Sequence, residues 1–205
     1  MATTLNDLVP YVLPDVPGAG NNIIKLRMRE ALRVFCMDTE VWRENVVMDQ
    51  VDGQSEYEIT LSNEAAIQRI MFIKVKTSDS QSFDDVNHFP VRTYYLNNDG
   101  DTIVFLNNNE PGNDITDGIQ FQFALRPTFQ TEDLSGDLID RYGEAIFNLT
   151  KYKLLTTAKT SYYNPDAARH FYNEYRNSRM TAIREKTIGH KAQGLQVAQL
   201  GNILG

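Results

Sequence analysis

The hydrophobic period of this chain changes twice, and that constrains its architecture more than any single residue does. From Asn21 the apolar residues Ile24, Met28, Ala31, Leu32 and Phe35 recur at the spacing of one helix face. From Val41 the spacing shortens to alternation, most clearly as Ile119, Phe121, Phe123 and Leu125. After about residue 135 the helical period returns in Leu138, Tyr142, Ala145, Leu149 and Tyr152, and again in Ala168, Phe171, Tyr172, Tyr175 and Ala182. The order helix, strands, two helices predicts an α+β fold in which the first helix packs back on the last two. That closes a small helical bundle around an inserted antiparallel β-domain.

The expected boundaries follow. Residues 1–20 carry Leu8, Val9, Val12, Leu13 and Val16 broken by Pro10, Pro14 and Pro17, which predicts an extended N-terminal arm. Residues 21–40 and 131–188 form the helical domain, with Asn21 or Asn22 as the cap of its first helix and Asn164-Pro165 opening its last. The β-domain spans residues 41–130. Asp52-Gly53 and Asn97-Asn98-Asp99-Gly100 read as hairpin turns, and residues 107–113 as a longer loop. Residues 189–205 contain spaced apolar residues among several glycines and read as a flexible tail.

Composition removes several function classes. A chain of 205 residues has enough length for a sizeable core, and one cysteine, Cys36, permits no internal disulfide. No long apolar run reads as a membrane span, and the start of the chain lacks a signal-peptide pattern, so the chain is expected to stay in the cytoplasm where it is made. His88, His170 and His190 are far apart and carry no metal spacing. No nucleophile elbow, phosphate loop or dinucleotide fingerprint occurs, and no cofactor is implied. Gly18-Ala19-Gly20 follows a proline-broken segment rather than a strand, which argues against a phosphate site. Acidic pairs such as Asp84-Asp85 and Asp99/Asp101 could bind a cation or serve a hydrolase, yet they lie in turn-prone stretches. Asn148-Leu149-Thr150 is a glycosylation sequon inside a predicted helix, a poor acceptor. Catalysis has no anchor here.

The net charge of −7 conceals a division. Residues 1–140 hold 10 Lys/Arg and 23 Asp/Glu, a balance of −13, whereas residues 141–205 hold 10 and 4, a balance of +6. The basic part is also aromatic: Tyr142, Tyr152, Tyr162, Tyr163, Phe171, Tyr172 and Tyr175 interleave with Arg141, Lys151, Lys153, Lys159, Arg169, Arg176 and Arg179. Such a mixture serves a helical core, a protein interface or single-stranded nucleic acid. The acidic total disfavours sequence-independent nucleic-acid binding.

The order of these pieces resembles the phage head-to-tail adaptors, the connector and gatekeeper family of short-tailed phages. The resemblance rests on Pro14, Pro17 and Gly18, on Leu32-Arg33-Val34-Phe35-Cys36 with Thr39 and Trp42, and on the Tyr57 to Leu61 strand. It continues through Phe121 to Pro127, Tyr142, Glu144, Ala145, Asn164 to Ala168 and the helix from Tyr172 to Arg179. It implies a virion structural protein at the head-tail junction, not an enzyme. Identical subunits, usually twelve, would form a ring that binds the portal protein above and a tail or nozzle protein below. Double-stranded DNA would pass through the ring without specific binding, and no membrane would be involved. On that reading Val12, Leu13, Leu195, Val197, Ile203 and Leu204 would be buried on assembly, and Lys151, Lys153, Tyr172 and Arg176 would face the portal or a neighbouring subunit. A tail-completion or terminator ring is the alternative within the same class, and a hydrolase using acidic residues the alternative outside it.

Overall fold

The computed structural model describes residues 2–61, 65–90, 92–106 and 110–188. The chain is α+β, with helices and antiparallel sheets closing on one continuous core. Strand β1 (Ala2–Thr4) leads into the single-turn helix α1 (Leu5–Leu8). Thr4 caps α1 by accepting from the Asp7 amide, and Asp7 answers by accepting from the Thr4 amide. Two 3₁₀ turns follow, Val9–Tyr11 and Leu13–Asp15.

These turns correct the expectation of an extended arm over residues 1–20. Pro10 and Pro14 each sit in the first positions of a 3₁₀ turn, where a missing amide hydrogen costs nothing and the fixed φ favours the turn. Coiling turns Leu5, Leu8, Val9, Val12 and Val16 inward, and all five are buried. The segment is extended only in β1, which pairs with β8 (Asp133–Ser135) in register Ala2 to Ser135.

Helix α2 runs Asn21–Thr39 and buries Ile24, Met28, Ala31, Leu32, Phe35, Cys36 and Thr39. Its cap is Gly20, with no side-chain hydrogen bond, not Asn21 or Asn22, which are already in the helix. It ends on Glu40, whose φ of 52° is left-handed and whose amide donates to the Cys36 carbonyl. Helix α3 (Gly136–Leu155) and helix α4 (Pro165–Ile188) complete the bundle, with Phe35 meeting Tyr142 at 5.5 Å and Tyr175 at 6.5 Å between ring centroids. Asn164 caps α4 by accepting from the Ala167 amide, with Pro165 at its first position.

Between α2 and α3 lie two three-stranded sheets. The first has the order β2 (Arg43–Gln50), β7 (Ile115–Pro127), β4 (Ala65–Val75), all antiparallel neighbours. The second has the order β3 (Glu56–Glu58), β6 (Thr102–Phe105), β5 (Tyr94–Leu96). Tyr57 joins them, stacking edge-on to Phe105 at 5.7 Å and tilted against Phe121 at 6.1 Å. Asn97 to Gly100 makes the expected hairpin turn, and the Asn97 carbonyl oxygen of the side chain accepts from the amides of Gly100, Asp101 and Thr102. Asp52-Gly53 also turns, with Gly53 at φ 72°, but it joins strands of different sheets and so is not a hairpin. The Gly53 amide donates to Pro111 and the Asp52 amide to Asp114, which carries the chain across.

Candidate interaction surface

Helix α4 packs on α3 along one side and leaves much of its surface exposed. Among the residues whose side chains are described, Ala168, Tyr175 and Ala182, seven apart, form a buried seam, and Ala167 and Phe171 pack against the core beside them. Helix geometry places Arg169, Tyr172, Arg176, Met180 and Arg184 within an arc of about 120° on the flank beside that seam. All five are exposed, Tyr172 at 38% and Met180 at 48%. Tyr172 stands at the border of this arc, 4.7 Å from the Tyr152 ring and 6.2 Å from Tyr175, so it is held in place while one side meets solvent.

The seam is pinned at its middle and toward its C-terminal end. Arg179 forms an ion pair with Asp38 at 2.9 Å, and the Tyr175 hydroxyl donates to the same carboxylate. Burial, and the negative charge of Asp38, push the Tyr175 phenol well above its ordinary value, so it is a donor at every physiological pH. Further along, the Tyr142 hydroxyl donates to Glu185 at 3.1 Å. Beside that bond a groove of about 250 Å³ opens between α3 and α4, lined by Arg141, Tyr142, Asn177, Thr181 and Glu185.

The other residues expected at an interface fall in different places. Val12 is fully buried within this chain and Leu13 is 38% exposed, because the coiled arm has an inside and an outside. Lys151 is engaged internally: its ammonium lies 2.7 Å from Asp15 and 5.1 Å from the centre of the Phe171 ring. Lys153 pairs with Glu30 at 3.6 Å. Both lysines therefore join α3 to its own arm and helix. Arg176 and Tyr172 are on the outer face of α4. Leu195, Val197, Ile203 and Leu204, with the whole expected tail, lie outside the described residues. Arg169, Met180 and Arg184 belong with Arg176; the seven-residue spacing of Arg169 and Arg176, one position after the seam, is the sequence signal that groups them.

Nothing resembling a reaction centre is assembled from the acidic pairs. Asp84 and Asp85 lie in a 3₁₀ turn capped by Ser82, and Asp101 accepts from Asn97 and Thr102 beside the β5–β6 turn. Among the described residues no group of three His, Cys, Asp or Glu side chains could hold a metal ion. His88 stacks on Phe72 at 4.7 Å. Cys36 is buried, and burial pushes its thiol up to about 12, which keeps it protonated and unreactive. Asn148 of the sequon is buried in α3. Among the described residues no helix is long and apolar enough to cross a membrane.

No family model matches the chain, and no curated protein matches it. Among solved structures, a chain from the neck of an empty GTA particle, computed with C6 symmetry, is similar over 85% of this chain and 94% of that one. The identity is 11% and the TM-score 0.32, a level at which the likeness establishes neither fold nor role.

Proposed function

We propose that this protein is a virion structural protein, a head-to-tail adaptor whose copies form a ring that binds the portal and joins the DNA-filled head to the tail. The observation that carries the reading is helix α4. It is 24 residues long, its buried residues among those whose side chains are described are Ala168, Tyr175 and Ala182, and it holds out three arginines, a tyrosine and a methionine on a flank beside that seam. Arginine and tyrosine are the residue types that dominate protein interfaces, and a helix pinned by Asp38 offers them without a large ordering cost. The order of helix, sheets and paired helices supports the same role through the resemblance carried by the sequence. The role needs binding and assembly, with no catalytic step.

The test is a binding measurement with the cognate portal protein, alongside electron microscopy of the purified chain alone and mixed with portal. Wild-type protein is expected to form rings that dock on the portal. Arg169→Glu with Arg176→Glu is expected to weaken docking at least about tenfold and to flatten its salt dependence, with the unfolding midpoint unchanged. Wild-type protein that neither forms rings nor binds portal would overturn the proposal.

A further inference from the structure

Among the described residues, the sheet β2-β7-β4 ends in two strands that no further strand covers along most of their length. The Leu125 amide donates to the Trp42 carbonyl at 2.8 Å, and the register continues as Glu44 to Phe123, Val46 to Phe121 and Met48 to Ile119. In an antiparallel ladder this turns the backbone groups of even-numbered β2 residues toward β7. The amides and carbonyls of Arg43, Asn45 and Val47 therefore point away from the sheet. Eight residues long, β2 has neither lysine nor proline, the residues that usually blunt such an edge, and Val47 at its middle is 43% exposed. On the opposite side, β4 is covered only near its end, where Phe89 donates to Ile73 and His88 bridges Lys74. Its stretch from Ala65 to Phe72 has no strand on its outer side among the described residues, and its register against β7 shifts at Ile67/Arg69 and at Ile70/Phe72, which divides the edge into short regular runs.

We infer that the β2 edge of one copy takes up the β4 edge of the next, so that the sheet continues from subunit to subunit; this rests on the ring reading above. Two uncovered edges on one sheet give a head-to-tail contact, which closes into a ring when the rotation between copies is a whole fraction of a turn, whereas β2 pairing with β2 would stop at two copies. Both edges run antiparallel to β7 and hence parallel to each other, so a rotation alone brings them together. Several backbone hydrogen bonds per junction, each of modest net worth, then act in addition to side-chain contacts.

Proline separates this edge from the fold. Val47→Pro removes an amide that β7 does not use, so the monomer is expected to keep its circular dichroism and its unfolding midpoint to within a few degrees, while the ring fraction falls at least about tenfold. Val47→Lys, which leaves the backbone intact and charges the edge, is expected to do the same. Rings as abundant in both folded variants as in wild type would overturn the edge pairing and leave the adaptor reading standing; wild-type protein that forms no rings, alone or with portal, would overturn the edge pairing, and if it also fails to bind portal it would remove both. Direction is read by oxidative cross-linking of Val47→Cys combined in turn with Arg69→Cys, Ile70→Cys, Met71→Cys and Phe72→Cys. Within one chain β7 holds β2 and β4 about 10 Å apart, too far for a disulfide, so a bond must join two copies. A ladder extending beyond the dimer on a non-reducing gel supports the head-to-tail contact. Efficient dimers from Val47→Cys alone, with no ladder from the pairs, would overturn it in favour of a two-fold contact.

Discussion

At Cys36 burial and chemistry make one testable statement. The thiol has no exposed surface in α2, and its pKa is pushed up to about 12 from an ordinary value of 9.0. Folded protein is expected to resist a thiol reagent at pH 8 and to react fully once unfolded by denaturant. The folded value is the raised one, so the neutral thiol's contribution to stability is complete below about pH 9 and is lost as pH rises from there toward 12. Lys151 makes a second statement. Flanked by Asp15 and the Phe171 ring, with its side chain 13% exposed, it fastens the coiled arm to α3. Lys151→Glu is expected to destabilise the chain by about 1–2 kcal/mol in urea unfolding, and Lys151→Met by less, because methionine keeps the apolar stem and places no like charge beside Asp15. Sequence shows the charge of Lys151 but not the distant carboxylate that uses it. That is why it and Lys153 read as free for a partner, while Arg176 reads the same way and is exposed.

Among the elements, the long strands and helices were legible because their periods are strong. Phe121, Phe123 and Leu125 alternate cleanly, and all three are buried in β7, the strand shared by β2 and β4. The arm was not legible, since proline excludes a helix interior but permits either an extended segment or the first position of a turn, and only the inward demand of Leu5, Val9 and Val12 decides between them. The Asp52-Gly53 turn was visible, but its role was not, because strand partners are set by contacts far along the chain. Gly118 in β7 is a further case that only the packing reveals. A Cβ there would come within 2.6 Å of the Gln50 Cβ and 2.8 Å of the Ile115 carbonyl. Gly118→Ala is therefore expected to cost about 1–3 kcal/mol in thermal or urea unfolding, whereas Gly20→Ala, with open space around it, should meet no such clash.

At the scale of the whole molecule, what matters is how the sheets and the bundle are joined. Glu40, nearly buried, closes α2 with a left-handed turn; its carboxylate accepts from Arg69 of β4 at 2.8 Å and its carbonyl accepts from Arg43 of β2 at 3.1 Å. Gln68 of β4 also donates to the Met37 carbonyl near the end of α2. The connection between the bundle and both outer strands is thus a bolted joint rather than a swivel. One residue, Glu40, fastens the end of α2 to both outer strands of the sheet, to β2 through its carbonyl and to β4 through its carboxylate.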